Sequence, residues 1–145
     1  MRFVTIYLYC KSGGVGKEYN LEKRLVEYAC KNMEIVRMLP PTREGKYIAK
    51  QLIRSGNSPA FNYGEAQAAE SRNDFIHKMR VVLKELKECR IALTITSKQD
   101  MIDPVEILTK HLAETEELIA ITAASIITAE KNNGKDSRGW GDAKN

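Results

Sequence analysis

The 145-residue sequence is poor in the residues that most readily carry chemistry. Its cysteines, Cys10, Cys30 and Cys89, lie far apart with no CxxC spacing, and His77 and His111 are 34 positions apart (111 − 77). That pattern indicates neither a disulfide framework nor a zinc site, and no cofactor is implied. Apolar runs are short too. The longest, near Phe3 to Tyr9 and Leu118 to Ile127, fall below the roughly 18 residues a membrane span needs, and no signal-peptide cleavage pattern follows the first. These absences lead to the expectation of a cytoplasmic protein with no membrane partner. The length suits one domain of about 100 to 200 residues, which argues against a cleft between two domains. With 43% hydrophobic and 29% charged residues and a formal charge of +4, the chain is neither compositionally disordered nor basic like a histone arm.

What charge there is divides unevenly. Asp103 to Lys131 holds six acids (Asp103, Glu106, Glu114, Glu116, Glu117, Glu130) and two bases (Lys110, Lys131), giving −4, so the remainder sums to +8. Such an asymmetry can dock subunits or present a basic face to nucleic acid.

Four helices follow from the pattern. Asn20 is a candidate N-cap for a helix through Leu21, Leu25, Ala29, Met33 and Val36 that Pro40-Pro41 ends. Thr42 caps a second, whose inward stripe Ile48, Leu52, Ser55 and Ser58 turns small and polar and which continues past Pro59 with a kink near Ser55. Ser71 to Asp74 reads as a capping box before Phe75, Met79, Val82, Leu83, Leu86, Cys89 and Leu93. Asp103-Pro104-Val105-Glu106 combines N-cap, N1 proline and N3 carboxylate, opening a fourth helix through Leu108, Leu112, Leu118, Ile121, Ser125 and Ile126 to Asn132 or Asn133.

The predicted fold is therefore all-α, an antiparallel up-down-up-down four-helix bundle over residues 20–133 with crossings of roughly 20°. A non-helical extension over residues 1–19 precedes it, with a short strand over Met1 to Tyr9, and a disordered tail over residues 134–145 follows it. Ile35, Ile107, Ile119 and Ile127 lie off the main stripes, and this apolar surplus suggests an oligomer interface.

The stretch Gln51 to Ser58, continuing through Asn62-Tyr63-Gly64-Glu65-Ala66, Ser71, Asp74-Phe75-Ile76 and Lys78, resembles the signature of the bacterial four-helix-bundle proteins encoded in 23S ribosomal RNA intervening sequences. Leu83-Lys84-Glu85, Glu88, Glu117-Leu118, Thr128 and Lys131-Asn132 extend the resemblance, which spans roughly Asn20 to Asn133. It implies a small all-α bundle, commonly a homopentamer, without an established enzymatic activity. A related branch, the accessory variability determinant of diversity-generating retroelements, is a basic pentameric bundle that binds nucleic acid. The leading Met1 to Tyr19 and Pro59 depart from the family pattern.

Each motif has a bland reading beside its functional one. Ser12-Gly13-Gly14-Val15-Gly16-Lys17-Glu18 resembles a phosphate-cradling loop, but Glu18 stands where the magnesium-binding hydroxyl belongs, so the segment reads as a connector. Arg54, Ser58, Asn62 and Glu65 recur near one helical face, and Glu85 and Glu88 sit on the helix expected to pack against it. With no nucleophile, histidine or metal set converging on them, they read as a structural polar network and not as a catalytic site. A buried Arg54 needs Glu65 or Glu85 as its partner, and Arg54→Ala is expected to lower the melting temperature sharply. Lys46, Lys50, Lys78, Lys84 and Lys87 form a candidate nucleic-acid stripe, whose bland reading is a solvated face. His77 and His111 read as surface residues, Cys30 and Cys89 as core filler, and Phe61 and Tyr63 as packing against neighbouring helices.

Overall fold

The computed structural model describes residues 20–139, with side chains described as far as Asn133. The expected strand over Met1 to Tyr9 and the glycine-rich connector lie outside the described residues. Among the described residues the chain forms four α-helices: α1 over Leu21–Met38, α2 over Arg43–Gln67, α3 over Arg72–Lys98 and α4 over Glu106–Gly139.

Three of the four starts are local decisions of the sequence. The side chains of Asn20, Thr42 and Ser71 accept from the backbone N–H of Lys23, Gly45 and Asp74, at 3.0, 3.1 and 3.1 Å. Each satisfies one of the donors a helix start leaves unpaired. The fourth start differs from the expectation. Asp103-Pro104 is a cis peptide and lies before the helix, and the first i→i−4 bond runs from the Thr109 N–H to the Val105 carbonyl at 3.1 Å. The connection buries Ile102 in the core, 5% exposed, which holds this stretch out of helical conformation until the chain has passed it. At its other end α4 runs on through Gly134 to Gly139, beyond the expected stop at Asn132 or Asn133. Glycine in a helix costs only about 1 kcal/mol relative to alanine, which does not oblige the helix to stop. Pro59 is buried inside an unbroken α2.

The partners across each helix pair run in opposite numerical order, which fixes the antiparallel topology. Ser55 meets Cys89 while Glu65 meets Lys78; Arg90 meets Glu116 while Arg80 meets Glu130; Tyr28 meets Thr115 while Asn32 meets His111. α1, with 18 residues, spans about 27 Å, against about 40 Å for the 27 residues of α3. The core accordingly divides. Leu25, Ile35, Leu52, Leu86, Leu93, Leu108 and Leu118 fill the four-helix section. Ala66, Ile76, Met79 and Ile126 fill a second section supplied by α2, α3 and α4, beyond the reach of α1.

Two stripes differ from the periodicity. On α1 the inward positions are Leu21, Leu25, Tyr28, Asn32 and Ile35, so Asn32 occupies the interior turn assigned to Met33, which is 40% exposed. Ile35 is wholly buried and Ile107 and Ile119 pack against the core, leaving Ile127 as the exposed one of the four surplus isoleucines. Cys30 is exposed instead of core-filling.

Candidate functional site

Two polar constellations lie on this scaffold, one that the sequence pointed to and one that it did not. The first joins α2 to α3. Arg54 donates to Glu85 Oε2 at 3.3 Å, to Gln51 Oε1 at 3.2 Å, and to Glu88. The expected burial is reversed: the Arg54 side chain is 52% exposed and the buried member is Glu85, at 8%. A guanidinium on a long stem can hold its head at the surface while reaching a carboxylate seated in the groove.

Glu65 takes no part in that pair. It lies 11 residues along α2, about 16 Å away, and accepts from Lys78 at 2.6 Å. Asn62 donates to the Ser58 hydroxyl at 2.9 Å within α2. The six residues of the expected network thus form three groups: Arg54 with Glu85 and Glu88, Glu65 with Lys78, and Ser58 with Asn62.

The five candidate phosphate-binding lysines are likewise divided. Lys78 is bound to Glu65, and Lys84 lies 4.0 Å from both Glu85 and Glu88. Lys46, Lys50 and Lys87 are exposed and form no ion pair among the described residues. The span along α2 from Lys46 to Glu65, which holds Lys78, is 19 residues or about 28 Å, so the stripe is long and interrupted by carboxylates.

The second constellation is a buried ladder across the four helices. Tyr28 of α1 stacks on His111 of α4, with ring centroids 4.4 Å apart and planes at 19°. The Tyr28 hydroxyl and Thr115 Oγ1 are 2.9 Å apart, and His111 Nε2 and Asn32 Oδ1 are 3.1 Å apart. Gly56 of α2 lies directly against Asn32: a Cβ there would meet Asn32 Nδ2 at 2.6 Å. Asn32 Nδ2 is buried without a hydrogen-bond partner. Beside them the Cys89 thiol donates to Ser55 Oγ at 3.2 Å, and Ser55 donates to the Gln51 carbonyl at 2.7 Å. Thr96, Thr115 and Thr122 also donate to carbonyls four residues back, so these buried hydroxyls have partners.

His111 is therefore an interior residue, 4% exposed, and not the surface residue expected. Burial drives its pKa down to about 4, with the Lys31 charge acting in the same direction. Burial raises the Cys89 thiol to about 11 and lifts the Tyr28 phenol well above its usual range. At neutral pH the ladder is an uncharged imidazole, thiol and phenol, since taking each charged form out of water is unfavourable. It can hold helices in register; it is poorly placed to exchange protons with a solvent-borne substrate. Among the described residues no group of three or more His, Cys, Asp or Glu could hold a metal ion, and no helix is long and apolar enough to cross a membrane.

α1 and α4 close the bundle chiefly through this ladder and through Arg24. Arg24 grips Glu114 with two hydrogen bonds of 3.0 and 2.8 Å and reaches Glu117 at 2.7 Å. Outside, Phe61 is 74% exposed and Tyr47 64% exposed. Phe61 thus projects from the bundle instead of packing against its neighbouring helices, while Tyr63 packs against both core sections.

Taken together, these features define a small antiparallel helical bundle with a buried polar ladder and a partly apolar exterior. The family model described as 23S rRNA-intervening sequence protein matches residues 17–124, and the chain belongs to that family. Among solved structures it is similar to a protein of unknown function from the S23 ribosomal protein family of Bacteroides thetaiotaomicron. The two are 26% identical with a TM-score of 0.68, over 73% of this chain and 97% of that one. No curated protein matches.

Proposed function

We propose that the chain is a non-catalytic, cytoplasmic interaction or scaffold module that works as a homo-oligomer, with a pentamer as the stoichiometry the family resemblance implies. The observation that carries the reading is the exposure of Tyr47 and Phe61 on a bundle whose own core is filled. Large apolar groups gathered on one face are generally covered by a partner. Burial of Tyr28, Cys89 and His111 in uncharged form supports a holding role for these groups over a catalytic one. Light scattering on the full chain tests this: a mass that is a multiple of 16.4 kDa agrees, and a single-chain mass at micromolar concentration refutes it.

A second reading is a nucleic-acid-binding accessory protein, supported by the exposure of Lys46, Lys50 and Lys87 without carboxylate partners. Binding through these groups would weaken steeply with salt as counterions re-condense on the nucleic acid. Titration of RNA and DNA at rising salt checks it, with absent or salt-insensitive binding as the opposing result.

A further inference from the structure

The seam between α1 and α2 carries an apolar surface on its outer side. Val26, Cys30 and Met33 follow at four- and three-residue steps, so they share one face of α1. That face is turned away from α4, because Arg24 and Tyr28, which reach Glu114 and Thr115, lie on the other flank of the helix. Ile53 lies correspondingly on α2. Arg54 and Ser55, which reach Glu85 and Cys89, occupy the flank towards α3, and Ile53 occupies the flank towards α1. The contact of Gly56 with Asn32 sets the level of the two antiparallel helices and brings Ile53 within about 3 Å of Met33 along the bundle axis. Val26, Met33 and Ile53 are exposed, and so is the Cys30 thiol between Val26 and Met33.

The chain itself holds an apolar segment tethered within reach of this seam. Phe3-Val4-Thr5-Ile6-Tyr7-Leu8-Tyr9 has no charged residue, and Cys10 follows it directly. Cys10 is ten residues before Asn20, the cap of α1, and Cys30 is ten residues after it (20 − 10 and 30 − 20). Ten helical residues rise about 15 Å. A coil of ten residues has a root-mean-square span of about 17 Å, and Gly13, Gly14 and Gly16 ease a reversal of direction. A tether whose span matches the distance it must bridge gives the highest effective concentration, in the millimolar range for a short linker.

We propose that the segment Phe3 to Tyr9 folds back onto the outer seam of α1 and α2 of its own chain and covers Val26, Met33 and Ile53, with Cys10 beside Cys30. Apolar surface on both sides leaves water, which supplies the driving force. Because segment and seam belong to one chain, the covering does not depend on protein concentration.

The test reads the reactivity of Cys30 towards a maleimide in the full chain at several protein concentrations, by peptide mass spectrometry, with helicity followed by circular dichroism. Wild-type Cys30 should react roughly tenfold more slowly than in Ile6→Asp combined with Leu8→Asp, which spoils the segment, or in Val26→Asp, which spoils the seam. Either variant serves alone if the other loses helicity. In a second arm diamide, an azo oxidant that takes up the two thiol protons and two electrons as it becomes a hydrazine, should join Cys10 to Cys30 within one chain. Cys30→Ser combined with Lys31→Cys keeps the tether length but moves the thiol to the flank of α1 nearer His111, and should couple roughly tenfold more slowly. Wild-type Cys30 reacting as fast as in the variants leaves the seam uncovered and overturns the proposal. Slow reaction that persists when the segment is spoiled, or that fades on dilution, assigns the cover to something else and overturns it as well. Equal coupling at the two thiol positions overturns the seating beside Cys30.

Discussion

Tyr28 and His111 lie ring on ring, 4.4 Å between centroids, inside the contact between the first and last helices of the bundle. The stack leaves the imidazole 4% exposed and without a carboxylate partner, which fixes it in its neutral form.

That has a consequence for acid stability. The folded-state pKa of about 4 lies below the 6.5 of an imidazole in water, so as pH falls through that window the unfolded chain takes up a proton that the folded chain does not. The stabilisation is complete above pH 6.5 and is lost as pH falls towards about 4, with a magnitude on the order of 3 kcal/mol. Urea unfolding between pH 4 and 7.5 should show this decline. His111→Gln should flatten it, and His77→Gln, at an exposed position, should not.

Removing Arg54 leaves the buried Glu85 with Lys84 at 4.0 Å as its remaining cation. Arg54→Ala should cost about 1 to 3 kcal/mol, less than a wholly buried pair would lose, because half of the guanidinium is already in water. Arg54→Ala combined with Glu85→Gln should cost less than Arg54→Ala alone, since the carboxylate that needs a partner is gone. A double-mutant cycle in urea measures both.

Glycine substitutions in α2 should move in opposite directions. At Gly56 a Cβ would lie 2.6 to 2.9 Å from three atoms of Asn32, including its Cβ, so Gly56→Ala must displace a packed side chain. It should destabilise by about 1 to 3 kcal/mol despite the better helix propensity of alanine. At Gly64 nothing lies within 4 Å of an added Cβ, and Gly64→Ala should stabilise by about 0.5 to 1 kcal/mol. Thermal melts of the two variants against wild type decide the signs.

The end of α3 offers a stabilising change of another kind. Asp100 has φ +49°, and the N–H groups of Met101 and Asp100 close on the carbonyls of Thr96 and Ser97 at 3.1 and 3.2 Å. This is the position where helices commonly place glycine. Asp100→Gly should raise stability by a few tenths of a kcal/mol up to about 1, relieving the left-handed conformation, as read from the shift in urea midpoint.

Features that depend on a few neighbouring residues were legible in the sequence. Asn20, Thr42 and Ser71 cap their helices through a side chain reaching three residues ahead. The apolar stripe of α3 is likewise local in origin. The ladder was missed because an apolar count passes over Asn32 and His111, although both continue inward stripes: Tyr28, Asn32 and Ile35 follow Leu21 and Leu25, and His111, Thr115, Leu118 and Thr122 follow Leu108 at three- and four-residue steps. Polar residues that fall on such inward steps, Asn32 on α1 and His111, Thr115 and Thr122 on α4, are the signal that could have shown it. The choice of Arg54 partner depended on the register between α2 and α3, which spacing within one helix does not encode. The start of α4 depended on burial of Ile102, a tertiary effect that overrode a well-formed capping sequence.

The most direct test of the account is the mass of the full chain in solution before and after Phe61→Glu. An assembly several times 16.4 kDa that falls to a single folded chain in the variant is the predicted result, and a wild type that is already a single chain at micromolar concentration would contradict it.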